Sequence, residues 1–185
     1  MMLLDFTVME GVQVAWLAPA ACILAFVLIV SLRMFDSKIG SVISIVAIAS
    51  GFAIFLYVFG QFNQSGPAEF AREWFTIGST KITLGMAIDQ LSVVMLGVIT
   101  FVALLVQIYS VSYMEEESRF GWYFGVHSLF AASMLILVLA NNLLLLYVAW
   151  ELVGLCSYLL IGFWFNKPSA NAAAIKAFVV NRIGD

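Results

Sequence analysis

The sequence predicts an all-α polytopic membrane protein with about five complete transmembrane helices and the start of a sixth. Of its 185 residues, 64% are hydrophobic and only 10% are charged, whereas a soluble domain carries roughly 25% charged residues. The mean hydropathy is +1.07. The apolar residues also fall in long runs, and about 20 of them suffice to cross a hydrocarbon layer about 30 Å thick. The lipid bilayer is therefore the expected solvent of this chain.

Charge and cysteine content exclude several classes of protein. A net charge of -3 argues against a nucleic-acid partner. Cys22 and Cys156 sit in apolar runs without a CxxC pattern, and the single histidine, His127, cannot form a metal site alone. The sequence also lacks a phosphate-binding glycine loop and a haem motif. We therefore expect no cofactor, no metal and no redox centre in this chain.

The first two predicted helices form a pair, residues 1–62. The first spans Val12–Leu32 and the second Ile39–Phe62, with a short polar turn between them. The preceding MMLLDFTVMEG contains Asp5 and Glu10 but no basic residue, which is the reverse of a cleaved signal peptide. We therefore expect the first apolar segment to be retained as a membrane span.

A second predicted unit, residues 63–118, contains an extramembrane hairpin followed by the third helix. The segment WFTIGSTKITLGMAID alternates β-branched and aromatic residues around Gly78-Ser79, which indicates a small hairpin on one membrane face. The third helix is predicted over Asp89–Tyr113, with Asp89 as its N-cap. The acidic EEESR that follows is a solvated turn.

A third predicted unit covers residues 119–185. A fourth helix spans Phe120–Ala140, and a tight return at Asn141-Asn142 leads into a fifth that ends near Phe165. Pro168 stops or restarts a helix, and a sixth helix begins near Asn171. The sequence ends about four turns into it, so we expect either a longer protein or a second chain that completes the helix.

The basic residues predict the orientation of the chain. They are counted in alternate loops, since cytoplasmic loops carry an excess of Lys and Arg. One side has four of them and the other has two, which predicts that the N-terminus lies outside. The four are Arg33, Lys38, Arg119 and Lys167, and the two are Arg72 and Lys81.

Two charged residues are predicted to meet inside the membrane. Glu151 lies in the middle of the fifth helix, where a charged side chain costs about 2.5–3.5 kcal/mol. With a rise of 1.5 Å per residue, it lies roughly 14 Å below the outer end of that helix, and Arg182 lies roughly 16 Å in from the inner face. Both levels are near the midplane. Asp185 is one turn beyond Arg182 on the same helical face and can share its guanidinium. Lys176 is shallower and can snorkel to the interface.

Two interpretations of these charges remain open. A static ion pair can fix helix packing, whereas an ionisable residue inside the membrane often marks a proton or ion route. His127, roughly two turns into the fourth helix, is a weaker candidate. It is either a proton relay or a hydrogen-bonded packing residue.

Several blocks of the sequence resemble one family. LLLLYVAWELVGLCSYLLIGFWF and KAFVVNRIGD resemble the distal, largest antiporter-like membrane subunit of respiratory complex I, the proton-pumping NADH:quinone oxidoreductase. The upstream AIDQLSVVMLGVITFVALLVQIYSVSYM resembles the N-terminal segment of the same family. The resemblance runs from about Lys81 onward and is strongest in the first two blocks.

The resemblance implies a fold of fourteen or more membrane helices with two inverted repeats of five, and makes residues 119–185 the start of an antiporter-like repeat. It implies that Glu151 pairs with a seventh-helix lysine, and that Arg182 and Asp185 are the sixth-helix charges. Lys176 and His127 are possible accessory residues on the sequence alone. The partners would be other membrane-arm subunits. NADH, FMN, Fe–S clusters and quinone would bind in other subunits, within a bacterial inner membrane or an energy-transducing organelle membrane.

Two other functions stay open at this point. Multisubunit cation/proton antiporters share this fold, as do photosynthetic, hydrogenase-linked and inorganic-carbon uptake complexes. The sequences GLCSYLLIGFW and NRIGD are more similar to those of the complex I subunits than to those of the sodium antiporters. The corresponding sequences in the photosynthetic complexes are much the same. A purely structural role, as a scaffold in a membrane assembly, is the third hypothesis.

Overall fold

The computed structural model describes residues 13–77 and 80–184, and five of its helices are long and apolar enough to cross a membrane. The fold prediction is therefore confirmed. Predictions that concern MMLLDFTVMEG, the hairpin tip Gly78-Ser79 and Asp185 lie outside the described residues. In chain order the helices are α1 (Leu17–Ser31), α2 (Lys38–Ser65), α3 (Gln90–Tyr113), α4 (Phe120–Leu139), α5 (Leu143–Ile161) and α6 (Pro168–Gly184).

Polar side chains fix where several helices begin. Asp89 caps α3 as predicted, since its carboxylate accepts hydrogen bonds from the Ser92 backbone N at 2.7 Å and from Ser92 Oγ at 2.8 Å. Asn142 caps α5 by accepting from the Leu145 backbone N at 2.9 Å. The sixth helix begins at Pro168 rather than near Asn171, because proline is well suited to the first helical turn.

The predicted hairpin is present and is longer than expected. Strands β1 (Ala68–Ile77) and β2 (Thr80–Ile88) pair antiparallel, with an irregularity in register between Glu73 and Phe75. The hairpin reaches the α4–α5 connection, where Met86 forms a β-bridge with Ala140. It therefore lies at the end of the bundle where α5 starts.

Helix α4 is the centre of the bundle. It contacts α1, α2, α3 and α5, and its apolar span is the most buried of the five. Phe124, Ala132 and Leu135 on α4 are almost completely buried. Helix α5 is the least buried span, and Leu143 at its start is 83% exposed. Much of the α5 surface is thus left uncovered by the described residues.

The end of the bundle opposite the hairpin is held by polar contacts between turns. Lys38 Nζ forms an ion pair with Glu115 Oε1 at 2.6 Å, and the Arg119 backbone N donates to Asp36 Oδ1 at 2.9 Å. The Arg119 guanidinium lies 5.1 Å from the centre of the Phe165 ring, just beyond α5. Lys38 and Arg119, two of the four basic residues assigned to the inner side, therefore share one end of the molecule.

Candidate functional site

Helices α5 and α6 bring Glu151 and Arg182 together. Nη1 of Arg182 forms an ion pair with the Glu151 carboxylate, and Nη2 donates to the Glu151 main-chain oxygen at 3.0 Å. The Glu151 and Arg182 side chains are 30% and 24% exposed. The proximity of Glu151 and Arg182 that was inferred from helix rise is therefore observed.

Two further residues, Gly154 and Phe178, lie next to the Arg182 guanidinium. Gly154, on the same face of α5 as Glu151, leaves room for it: a Cβ added there would lie 2.4 Å from Arg182 Nη2. Phe178, one turn before Arg182 on α6, places its ring 4.9 Å from the guanidinium carbon. Sequence analysis missed both, although their spacings of three and four residues from the charged pair place them on the same helix faces.

The remaining predicted charges are not part of this pair in the described structure. Lys176 is exposed on α6 and forms no ion pair within residues 13–77 and 80–184. Asp185 lies outside the described residues. Within the part of the chain that the structure describes, no group of three His, Cys, Asp or Glu side chains could hold a metal ion.

A second polar cluster, which sequence analysis missed apart from His127, lies in the interior between α2, α3 and α4. Ser44 Oγ donates to the Phe124 main-chain oxygen at 3.0 Å and lies 2.5 Å from Ser128 Oγ. Gln107 Nε2 donates to Ser44 Oγ at 2.6 Å and to His127 Nδ1 at 3.1 Å. Ser44, Gln107 and Ser128 have no exposed surface. We call Ser44, Gln107, His127 and Ser128 the Gln107–His127 cluster.

A neighbouring bond continues these polar contacts by one helical turn. Ser110, one turn after Gln107 on α3, lies with its Oγ 3.0 Å from the hydroxyl of Tyr123, one turn before His127 on α4. On its other side His127 lines an apolar groove of about 310 Å³ between α3 and α4. The structure thus places His127 at the boundary between a polar interior and an apolar groove.

Comparison with known proteins places the chain in a family. Residues 74–124 match the family model described as the N-terminus of chain 5 of NADH-ubiquinone oxidoreductase (complex I). Residues 140–185 match the transmembrane model of NADH:quinone oxidoreductase and Mrp antiporters. F(420)H(2) dehydrogenase subunit L of Methanosarcina mazei is 45% identical over 94% of this chain and 25% of its own length. NADH-quinone oxidoreductase subunit L of Mycobacterium tuberculosis is 54% identical over 60% of this chain and 18% of its own length.

The chain belongs to the antiporter-like membrane subunits of the complex I family. The resemblance inferred from the sequence is thereby confirmed. A solved structure of the Mrp complex from Dietzia is similar too, with a TM-score of 0.70 and 28% identity over 96% of this chain and 18% of that one. The chain spans about a quarter or less of the length of these relatives.

The two family models cover different parts of the polar sites described above. The transmembrane model covers residues 140–185, which include Glu151, Gly154 and Arg182. The N-terminal model covers residues 74–124 and includes Gln107. His127 falls between the two models, so the Gln107–His127 cluster joins residues inside and outside the matched regions.

Proposed function

We propose that this chain forms part of a proton half-channel in the non-redox membrane subunit of a proton-pumping NADH:quinone oxidoreductase. The observation that carries the proposal is the ion pair between Glu151, on an apolar helix long enough to cross a membrane, and Arg182 on α6. It falls in the region that matches the oxidoreductase and antiporter transmembrane model. Other membrane-arm subunits are the partners, and NADH, FMN, Fe–S clusters and quinone bind elsewhere in the complex.

Glu151 is the group that gains and loses the proton. Arginine stays protonated at any physiological pH, so of this pair only the carboxylate titrates. A nearby cation stabilises the ionised carboxylate, and low polarity around it stabilises the protonated one. The proton affinity of Glu151 therefore follows the position of the neighbouring positive charge.

The main-chain contact keeps Arg182 in place through this cycle. When Glu151 is protonated its carboxyl group loses the attraction of the guanidinium, but the bond from Nη2 to the Glu151 carbonyl oxygen does not depend on that charge. The Phe178 ring provides a second charge-independent contact. Arg182 thus acts as a fixed positive charge, and a second, movable cation changes the protonation of Glu151.

The uncovered surface of α5 is where that second cation approaches. Family resemblance assigns this role to a lysine on the seventh helix, and Asp185 and Lys176 adjust the charge around Arg182. The proposed membrane is a bacterial inner membrane or an energy-transducing organelle membrane, with the N-terminus outside. No redox centre is proposed for this chain.

The test is Glu151→Gln in the assembled complex, in inverted membrane vesicles supplied with NADH and a short-chain quinone. The amide keeps the size of the side chain but cannot carry the proton. We expect the initial rate of proton uptake to fall by roughly 10²-fold, the low end of the effect of a lost proton-transfer group. Glu115→Gln is the matched control, because Glu115 is exposed and pairs with Lys38 outside the spans. Normal proton uptake by Glu151→Gln would refute the proposal.

A cation/proton antiporter component is the alternative, and the similarity to the Mrp complex structure supports it. The same vesicles separate the two functions. In an antiporter, an imposed sodium gradient moves protons without NADH, and Glu151→Gln abolishes that movement. In the oxidoreductase subunit, proton uptake needs NADH oxidation and is independent of added sodium.

A further inference from the structure

The Gln107–His127 cluster has one unused hydrogen-bonding atom. Gln107 is completely buried, and its Oε1 has no hydrogen-bond partner within residues 13–77 and 80–184. Buried polar atoms are paired in the great majority of cases, so an orphan of this kind calls for an explanation. Its neighbours are a histidine and two serines, all of which can change their donor and acceptor roles.

The orientation of the Gln107 amide in the structure corresponds to one protonation state of His127. Both contacts of the Gln107 amide are made by Nε2, which can only donate. With the amide in this orientation His127 Nδ1 accepts, which corresponds to a neutral imidazole with its proton on Nε2. Ser44 accepts from Gln107 and donates to the Phe124 carbonyl oxygen, while the Ser128 hydroxyl donates to Ser44.

A rotation of the Gln107 amide by half a turn gives a second hydrogen-bond pattern, in which Nε2 takes the unpaired position of Oε1. Oε1 then occupies the position 2.6 Å from Ser44 Oγ and 3.1 Å from His127 Nδ1. It accepts from Ser44, whose hydroxyl turns away from the Phe124 oxygen. It also accepts from Nδ1, but only if that nitrogen carries a proton. The two patterns therefore differ by one proton on His127 and one rotation of an amide.

We propose that His127 is a proton-transfer residue and Gln107 its positioning residue, forming a second proton site apart from the Glu151–Arg182 pair. The inference rests on the proposed function. In uptake, a hydronium ion that reaches the cluster transfers its proton to Nδ1 and is left as water, and the Gln107 amide rotates to accept from the new N–H. In release, a proton leaves Nε2 or Nδ1 for the next water molecule. No other covalent bond forms or breaks.

The surroundings favour brief occupancy by the proton. On α4 the titratable neighbour is Tyr123, whose ring centre lies 6.0 Å from that of His127. Helices α3 and α2 present the uncharged Gln107 and Ser44, and within the described ranges no carboxylate forms a hydrogen bond or ion pair with the imidazole. An unpaired charge in an apolar interior is costly. Protonated His127 therefore passes its proton on rather than storing it.

Three variants of the assembled complex test this site in inverted vesicles with NADH and quinone. His127→Gln removes the titrating ring, and Gln107→Leu removes both amide contacts while keeping His127. Thr100→Val is the matched control on α3, because the buried Thr100 hydroxyl bonds only carbonyl oxygens of its own helix, at 2.7 and 3.3 Å. We expect proton uptake to fall roughly 10²-fold in His127→Gln, to fall in Gln107→Leu, and to be unchanged in Thr100→Val.

A spectroscopic measurement separates proton transfer from packing. Infrared difference spectra of the complex, recorded on NADH addition with ring-labelled histidine, should contain imidazole bands that disappear in His127→Gln and shift in Gln107→Leu. If both variants take up protons like Thr100→Val, or if no imidazole band depends on Gln107, the proposal is wrong. Should His127→Gln fail to assemble, the Gln107→Leu bands still decide.

The Glu151→Gln variant, measured in parallel, keeps the two proposals apart. Loss of uptake in Glu151→Gln together with normal uptake in both cluster variants overturns the second site alone. Normal uptake in Glu151→Gln overturns the proposed function itself.

Discussion

Arg182 holds Glu151 at two points of the same residue, the side chain and the main chain. Nη1 pairs with the carboxylate, and Nη2 donates to the carbonyl oxygen at 3.0 Å. A planar guanidinium presents several donors in a fixed arrangement and can serve both acceptors at once. The contact therefore joins α6 to the backbone of α5 as well as to its charge.

Replacing Arg182 with lysine should separate these two contacts. Arg182→Lys keeps the positive charge, but its single ammonium cannot take up the same two-point geometry. We expect an intermediate rate of proton uptake, between the unaltered complex and Arg182→Ala. In Arg182→Ala the half-buried carboxylate loses its cation, which should lower stability by about 1–3 kcal/mol. Thermal aggregation of the solubilised complex measures this loss of stability, with Arg72→Ala, which removes an exposed cation on strand β1, as the control. Equal effects of the lysine and alanine variants would contradict the prediction.

Gly154→Ala should displace the guanidinium without changing any charge. The added methyl group would lie 2.4 Å from Nη2, too close for the present arrangement. We expect reduced proton uptake and a lower aggregation temperature. Gly60→Ala provides the control, since a Cβ there meets nothing within 4 Å and alanine in a helix is more stable by about 0.5–1 kcal/mol. A Gly154→Ala complex that pumps like Gly60→Ala would show that Arg182 does not need this space.

Asn142→Ala should loosen the start of α5 and the hairpin together. Its Oδ1 accepts from the Leu145 backbone N, and its Nδ2 donates to the Thr83 carbonyl oxygen, both at 2.9 Å. Loss of an N-cap costs about 1 kcal/mol, and we expect faster hydrogen exchange in both the first turn of α5 and strand β2. Ser37→Ala is the control, because the Ser37 cap contacts only its own helix. Faster exchange in α5 alone would show that the hairpin is held independently.

The start of α3 should depend on pH through Asp89. Hydrogen bonds from the Ser92 backbone N and hydroxyl hold the pKa of the Asp89 carboxyl below its ordinary value. A lowered pKa in the folded state stabilises the protein above the ordinary pKa, and this contribution is lost as pH falls through the lowered one. Amide exchange at Ser92 should therefore be faster below the lowered pKa of Asp89 than above it. In Asp89→Ala the exchange at Ser92 should be fast on both sides of that pKa. A rate at Ser92 that is independent of pH, after correction for intrinsic exchange, would contradict this.

Much of the fold could be predicted because length and hydropathy dominate the energetics of a membrane chain. Each apolar run appears as a helix, and Asp89 caps α3 as its position suggested. The Glu151–Arg182 contact could be predicted from the helix rise, because the rise places the two residues at nearly the same depth on antiparallel helices. The sixth helix begins three residues before the predicted start near Asn171, because proline can begin a helix as well as end one.

The Gln107–His127 cluster could not be predicted in the same way. Serine and glutamine occur in membrane helices without a strong pattern, and sequence alone does not say which faces of α2 and α3 meet α4. A weak signal existed in the spacing of Gln107 and Ser110, which places two polar residues on one face of an apolar helix. Gly154 was missed for a related reason. The sequence does not show that the Arg182 guanidinium lies where a side chain at residue 154 would be.

The attachment of the hairpin to α5 has an electrical consequence. Asn142 fixes the first turn of α5, and Glu151 follows nine residues later along a rigid helix. A slip of α5 by one turn relative to the hairpin would move the carboxylate by about 5.4 Å, roughly a fifth of the hydrocarbon thickness. In a membrane potential of about 100 mV, that displacement changes the energy of one charge by ~0.4 kcal/mol. The contact between Asn142 and strand β2 thus limits movement of the Glu151 carboxylate along the axis of α5, and with it the change in its energy in a membrane potential.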